Sequence, residues 1–83
     1  MARFNTVAEC FDPQRKLFCF VTCVCCAPTE QAAEMEVQMF LQDGNLLMIG
    51  EFSIELLENE TSDLCFTVEE IGRVCFDNPH AGA

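Results

Sequence analysis

The sequence predicts a small α+β domain: an antiparallel sheet of about four strands with one C-terminal helix. Three observations carry that reading. Residues 17–26 are β-rich and apolar on both faces, residues 34–42 alternate polar and apolar up to an Asp43-Gly44 pair, and Thr67 with Glu70 spells a helix capping box. With 83 residues there is room for a single domain, 1–83, around one core. A domain of this length buries only about 60% of its unfolded surface, so a staple, a metal or a partner chain would help it.

The first strand spans residues 3–11, where Phe4, Thr6, Ala8 and Cys10 recur at period two. Asp12-Pro13-Gln14-Arg15 follows as a turn, since Asp suits position i and Pro position i+1 of a type I turn. The second strand, 17–26, carries apolar side chains both ways and is therefore central, covered by a helix on one side and a second subunit on the other. Residues 30–43 admit two readings. Their composition suits a central helix in place of the third strand, with Thr29 as N-cap and Gly44 past its end. Their alternation, Glu34-Met35-Glu36-Val37-Gln38-Met39, suits a half-buried strand. The pattern is preferred, because packing overrides propensity.

On that reading Asp43-Gly44 is a type I′ hairpin turn that pairs Leu41 with Leu46, Met39 with Met48 and Glu36 with Glu51. The fourth strand runs on through Ile54 and Leu56, and residues 59–63 form a polar loop. Thr67 and Glu70 then cap a helix, with Phe66 and Ile71 as its hydrophobic staple. The helix stops before Asn78-Pro79, leaving 78–83 as a frayed tail.

Charge narrows function more than any motif does. Fourteen acidic residues against four basic ones give −10, which argues against direct nucleic-acid binding and against attraction to anionic membranes. An apolar content of 51% excludes a disordered acidic tail. The run 17–27 after Arg15-Lys16 is too short to span a bilayer, which takes about 20 residues, and it makes a poor signal peptide. A cytoplasmic protein is expected, in the host cytoplasm if it is phage-encoded.

The seven cysteines are Cys10, Cys19, Cys23, Cys25, Cys26, Cys65 and Cys75. Their odd number and their place inside apolar runs favour small buried hydrophobes over a disulfide framework. A metal or redox centre on Cys10, Cys19, Cys23 and Cys25 is the alternative, since alternate strand positions share a face. No cofactor is expected. Catalysis is poorly equipped as well: His80 is the only His and lies in the tail, and neither Ser53 nor Ser62 has a His in a plausible relation to it.

The acidic side chains Glu34, Glu36, Glu51, Glu55, Glu58 and Glu60 are expected to bind a partner. Like charges opposed across a hairpin destabilise it, so an acidic strip is either a solubility device or a mate for a basic surface. A duplex about as long as the domain is wide carries roughly 15–18 phosphate charges. The 14 carboxylates approach that number. The expectation is a non-catalytic inhibitor that occupies a basic nucleic-acid-binding surface, a DNA mimic comparable by size and charge alone to small phage counter-defence proteins of the anti-CRISPR kind. Phe18, Phe20, Val24, Phe40, Leu47 and Ile49 exceed what a one-sided core needs and are expected to form a homodimer interface. A structural subunit of a homo-oligomeric assembly is the remaining alternative.

Overall fold

A computed structural model describes residues 1–62 and 65–76. It contains β1 (Ala2–Asp12), β2 (Leu17–Ala27), α1 (Glu30–Asp43), β3 (Leu47–Glu58) and β4 (Thr67–Phe76). The strands form one sheet in the order β3-β1-β2-β4, and every neighbouring pair is antiparallel. The fold is α+β, with four antiparallel strands and one helix, but the helix lies between the second and third strands and not at the C-terminus.

β1 and β2 follow the sequence closely. Their hairpin pairs Ala2 with Ala27 through to Asp12 with Leu17 without interruption. Asp12 makes the turn: its Oδ1 accepts from the backbone N–H of Gln14 at 3.0 Å and of Arg15 at 3.3 Å. Lys16 takes the left-handed conformation, φ 58°, that lets the chain re-enter the sheet.

Residues 30–43 are the first correction, a helix where alternation predicts a strand. Thr29 caps it, its hydroxyl oxygen accepting from Ala32 N–H at 3.1 Å. Ala33, Val37 and Leu41 are buried at four-residue spacing, while Met35 and Met39 are exposed. A period of two contains every fourth position, so the same apolar residues satisfy both templates, and only half of them face the core. Asp43-Gly44 consequently makes no hairpin turn. Leu46 N–H donates to Leu41 O at 2.9 Å and Asn45 N–H to Gln42 O at 3.0 Å, a Schellman end with Asn45 left-handed at φ 61°. Glu36 does not face Glu51, because β3 pairs with β1 and not with residues 34–42.

The second correction is β4, a strand where the capping box predicts a helix. Its apolar spacing imitates a helix because the ladder slips one residue between Thr22 and Cys23, leaving Ile71 as an extra residue between Glu70 and Gly72. Pairing decides the matter. β2 has backbone hydrogen-bonding groups on both edges, and the Val, Ile and Phe of residues 67–76 suit a ladder as well as a helix. The expected frayed tail, 78–83, and His80 lie outside the described residues.

β2 and β3 run parallel with β1 between them, so α1 is the crossover joining them across one face of the sheet. Under that helix lie Phe4, Thr6, Ala8 and Cys10 of β1 and Cys19, Val21, Cys23 and Cys25 of β2, all buried. The one hydroxyl in this layer, Thr6 Oγ1, donates to Cys23 O at 3.1 Å.

Candidate functional site

The side of the sheet opposite α1 has no covering element among the described residues, and the register lays its side chains out in rows. At one end Leu47, Phe11, Phe18 and Phe76 cross all four strands as a single apolar row. Its rings touch: Phe11 and Phe18 centroids are 5.1 Å apart, and Phe18 stacks on Phe76 at 6.4 Å. The next row holds Glu9, Phe20 and Val74, with Phe20 5.5 Å from Phe76, 41% exposed, and Val74 66% exposed. Val7, Ser53, Thr22 and Gly72 follow, then Glu55, Asn5, Val24 and Glu69. The far end holds Arg3, paired with Glu58 at 3.2 Å. One surface thus runs from aromatic to acidic over the length of the strands.

Four of the six residues expected at an interface, Phe18, Phe20, Val24 and Leu47, lie on this open face. Phe40 is exposed on α1, and Ile49 is exposed where β3 slips register against Glu9. Phe11 and Phe76, which complete the aromatic row, are the residues the sequence reading missed. Phe76 joins the row only if 67–76 is a strand, and Phe11 was legible as the outward partner of Phe18 across the Asp12 turn.

The acidic residues divide between the two layers. Glu34 and Glu36 sit half-buried on α1, and Glu36 is near enough to Cys25 to help raise its thiol. Glu51 and Glu55 are exposed on β3, Glu58 is held by Arg3, and Glu60 is exposed just beyond the strand. They form no single strip. Three of the four basic side chains are engaged internally: Arg3 with Glu58, Arg15 with Asp12 at 3.9 Å, and Arg73 with Glu70 through two bonds of 2.7 and 2.9 Å. The bidentate pair keeps the Arg73 guanidinium above its usual range.

On the covered side, Cys10, Cys19, Cys23 and Cys25 share the face under α1 and are fully buried. Burial raises the Cys10 thiol and pushes Cys23 and Cys25 up to about 11 and Cys19 to about 12. Among the described residues no three His, Cys, Asp or Glu side chains converge as a metal centre requires. One sulfur pair is close: Cys19 Sγ lies 2.8 Å from Cys75 Sγ.

No family model, curated protein or solved structure matches this chain. The described surface has a shallow depression of about 330 Å³ beside Arg3, Leu57, Glu69 and Ile71 and another of about 340 Å³ between α1 and β3. Among the described residues no helix is long and apolar enough to cross a membrane.

Proposed function

We propose that this chain is a non-catalytic acidic binding protein, a homodimer that occupies the basic nucleic-acid-binding surface of a partner protein. The observation that carries the reading is the disposition of charge. Three of four cations are spent on acids of the same molecule, while Glu51, Glu55, Glu60 and Glu69 stay exposed on or beside the open face. A surface of that sign attracts a basic groove from a distance and repels nucleic acid itself.

The aromatic row favours a second copy of the chain as its occupant. Two copies docked about a twofold axis through Phe11, Phe18, Phe20 and Phe76 would cover the largest apolar side chains of the open face. Overlap confined to that end keeps the Glu55 and Glu69 carboxylates of the two copies apart and leaves Glu9, beside Phe20, as the open-face acid nearest the contact. The dimer then presents two acidic ends pointing away from its centre, a longer negative object than either subunit.

The test is displacement of a fluorescent DNA duplex from a panel of basic DNA-binding proteins at low and raised salt. Competition is expected at low ionic strength and should weaken steeply toward 1 M, where screening shrinks to about 3 Å. The triple reversal Glu51→Lys, Glu55→Lys and Glu60→Lys should abolish it with the fold intact by circular dichroism. Undiminished competition by that variant would sink the charge reading. Sedimentation of Phe18→Glu with Phe20→Glu tests the dimer separately, and a wild-type monomer at high concentration would refute it.

A further inference from the structure

The covered face carries a second feature, independent of the acidic surface. We propose that Cys19 and Cys75 are a reversible dithiol–disulfide pair, oxidised by exchange with low-molecular-weight disulfides, that staples the edge strand β4 to the centre of the sheet. The two residues are register partners in the β2–β4 ladder, and their sulfurs already lie 2.8 Å apart. Residues directly opposed across antiparallel strands have Cα atoms about 4.5–5.5 Å apart. A disulfide spans about 4.4–6.8 Å, so the ladder needs no rearrangement to accept one.

The neighbourhood selects this pair over its competitors. Cys10 also opposes Cys19, from the other side, but its thiol turns toward the Ala8 carbonyl at 3.8 Å. Cys23 and Cys25 face the same layer from positions farther along β2, opposite Glu70 and Val68 and not opposite sulfur. Cys26 opposes Thr67 on the other face. Cys65 is exposed, outside both strands.

The two thiols also differ in access, which assigns their order of reaction. Cys75 is exposed on the edge strand and Cys19 is fully buried. Burial and the adjacent Cys75 sulfur hold Cys19 in its protonated form, so it is the waiting partner. Cys75, as thiolate, attacks one sulfur of the small disulfide, breaking its S–S bond and releasing one thiolate. Cys19 then attacks the Cys75 sulfur, gives up its proton and releases the second thiolate. One protein disulfide and two small thiols replace two protein thiols and one small disulfide. The protein loses two electrons and the reagent gains them.

What the bond would change is the attachment of β4. Among the described residues that strand has a neighbour on one edge only, β2, and the connection leading to it begins at the opposite edge of the sheet. A link between positions 19 and 75 closes a loop of more than fifty residues, the case in which a cross-link restrains the unfolded chain strongly.

The experiment is titration of the reduced protein with oxidised glutathione, read by intact mass, non-reducing tryptic mapping and thermal melting. Trypsin cuts after Lys16 and Arg73, so the predicted bond joins peptides 17–73 and 74–83, and fragmentation places it at Cys19. Expected are a loss of about 2 Da and a Tm higher by at least about 10 °C. Both should be reversed by dithiothreitol. Cys75→Ser should remove the product, and Cys23→Ser should leave it. A persistent glutathione adduct at Cys75, or a bond to any other cysteine, would overturn the proposal. So would an unchanged mass at every glutathione ratio that oxidises a dithiol control.

Discussion

The two faces of the sheet are built from opposite materials. On β1 and β2 the face under α1 is mostly small: Ala2, Ala8, Cys10, Cys19, Cys23, Cys25 and Ala27, with Phe4 and Val21 the larger exceptions. The open face of the same two strands carries Phe11, Phe18, Phe20 and Val24. The helix answers the small face with Ala33, Val37 and Leu41. Small side chains on both sides close a thin layer at high packing density, with cysteine serving as a small apolar filler. Bulk is placed instead where no element among the described residues covers it, which is the arrangement of a surface meant for contact.

That contrast breaks first at Leu41. It is the largest fully buried side chain of the covered layer, 1% exposed, at the last turn of α1. Leu41→Ala should cost about 2–5 kcal/mol in urea or guanidinium unfolding. Half-exposed Phe20 should cost well under that when replaced by Ala, provided the protein is dilute enough to be monomeric. Equal losses at the two positions would mean that the open face is covered even in the monomer.

High pH separates the faces next. Cys10, Cys19, Cys23 and Cys25 all sit in the covered layer, with thiols raised by burial above the ordinary value near 9. Their folded values exceed their unfolded ones, so the stability linked to them is fully present below pH 9. It is lost as pH climbs toward 11–12, because the unfolded chain releases those protons first. Unfolding midpoints measured at pH 7, 8 and 10 should be level between the first two and fall at the third. A midpoint that stays level above pH 9 would place the thiols in contact with solvent.

The hairpin of β1 and β2 was legible because its signals agree: alternation, an Asp-Pro turn and two-sided apolarity each name the same structure. Residues 30–43 and 67–76 were misread for one shared reason. Local pattern cannot say which half of an alternating set meets the core, nor that a ladder will slip by one residue. At Val37 and Leu41 the four-residue subset is decided by the sheet beneath the helix, and at Ile71 the extra residue is decided by pairing with β2. The acidic residues lose their common strip together with the hairpin that was to align them, whereas four of the six apolar residues share one face. Phe18, Phe20 and Val24 belong to the strand that the sequence already places at residues 17–26, and Leu47 reaches the same face from the neighbouring edge.

The smallest effect concerns the connection that lets α1 cover one face only. Asn45 ends the helix in the left-handed region at φ 61°, and Leu46 behind it is buried, its N–H bonded to Leu41 O. Asn tolerates that conformation through local hydrogen bonding, glycine tolerates it for want of a Cβ, and alanine does neither. Asn45→Ala should therefore cost roughly 1 kcal/mol, and Asn45→Gly should be near neutral or slightly favourable, by chemical denaturation. The order of the two variants and the wild type matters more than the size of the step. If Ala equalled Gly, the backbone at 45 would not be left-handed, and the Schellman end that delivers Leu46 to the core would have to be replaced by the two-residue turn that alternation alone suggests.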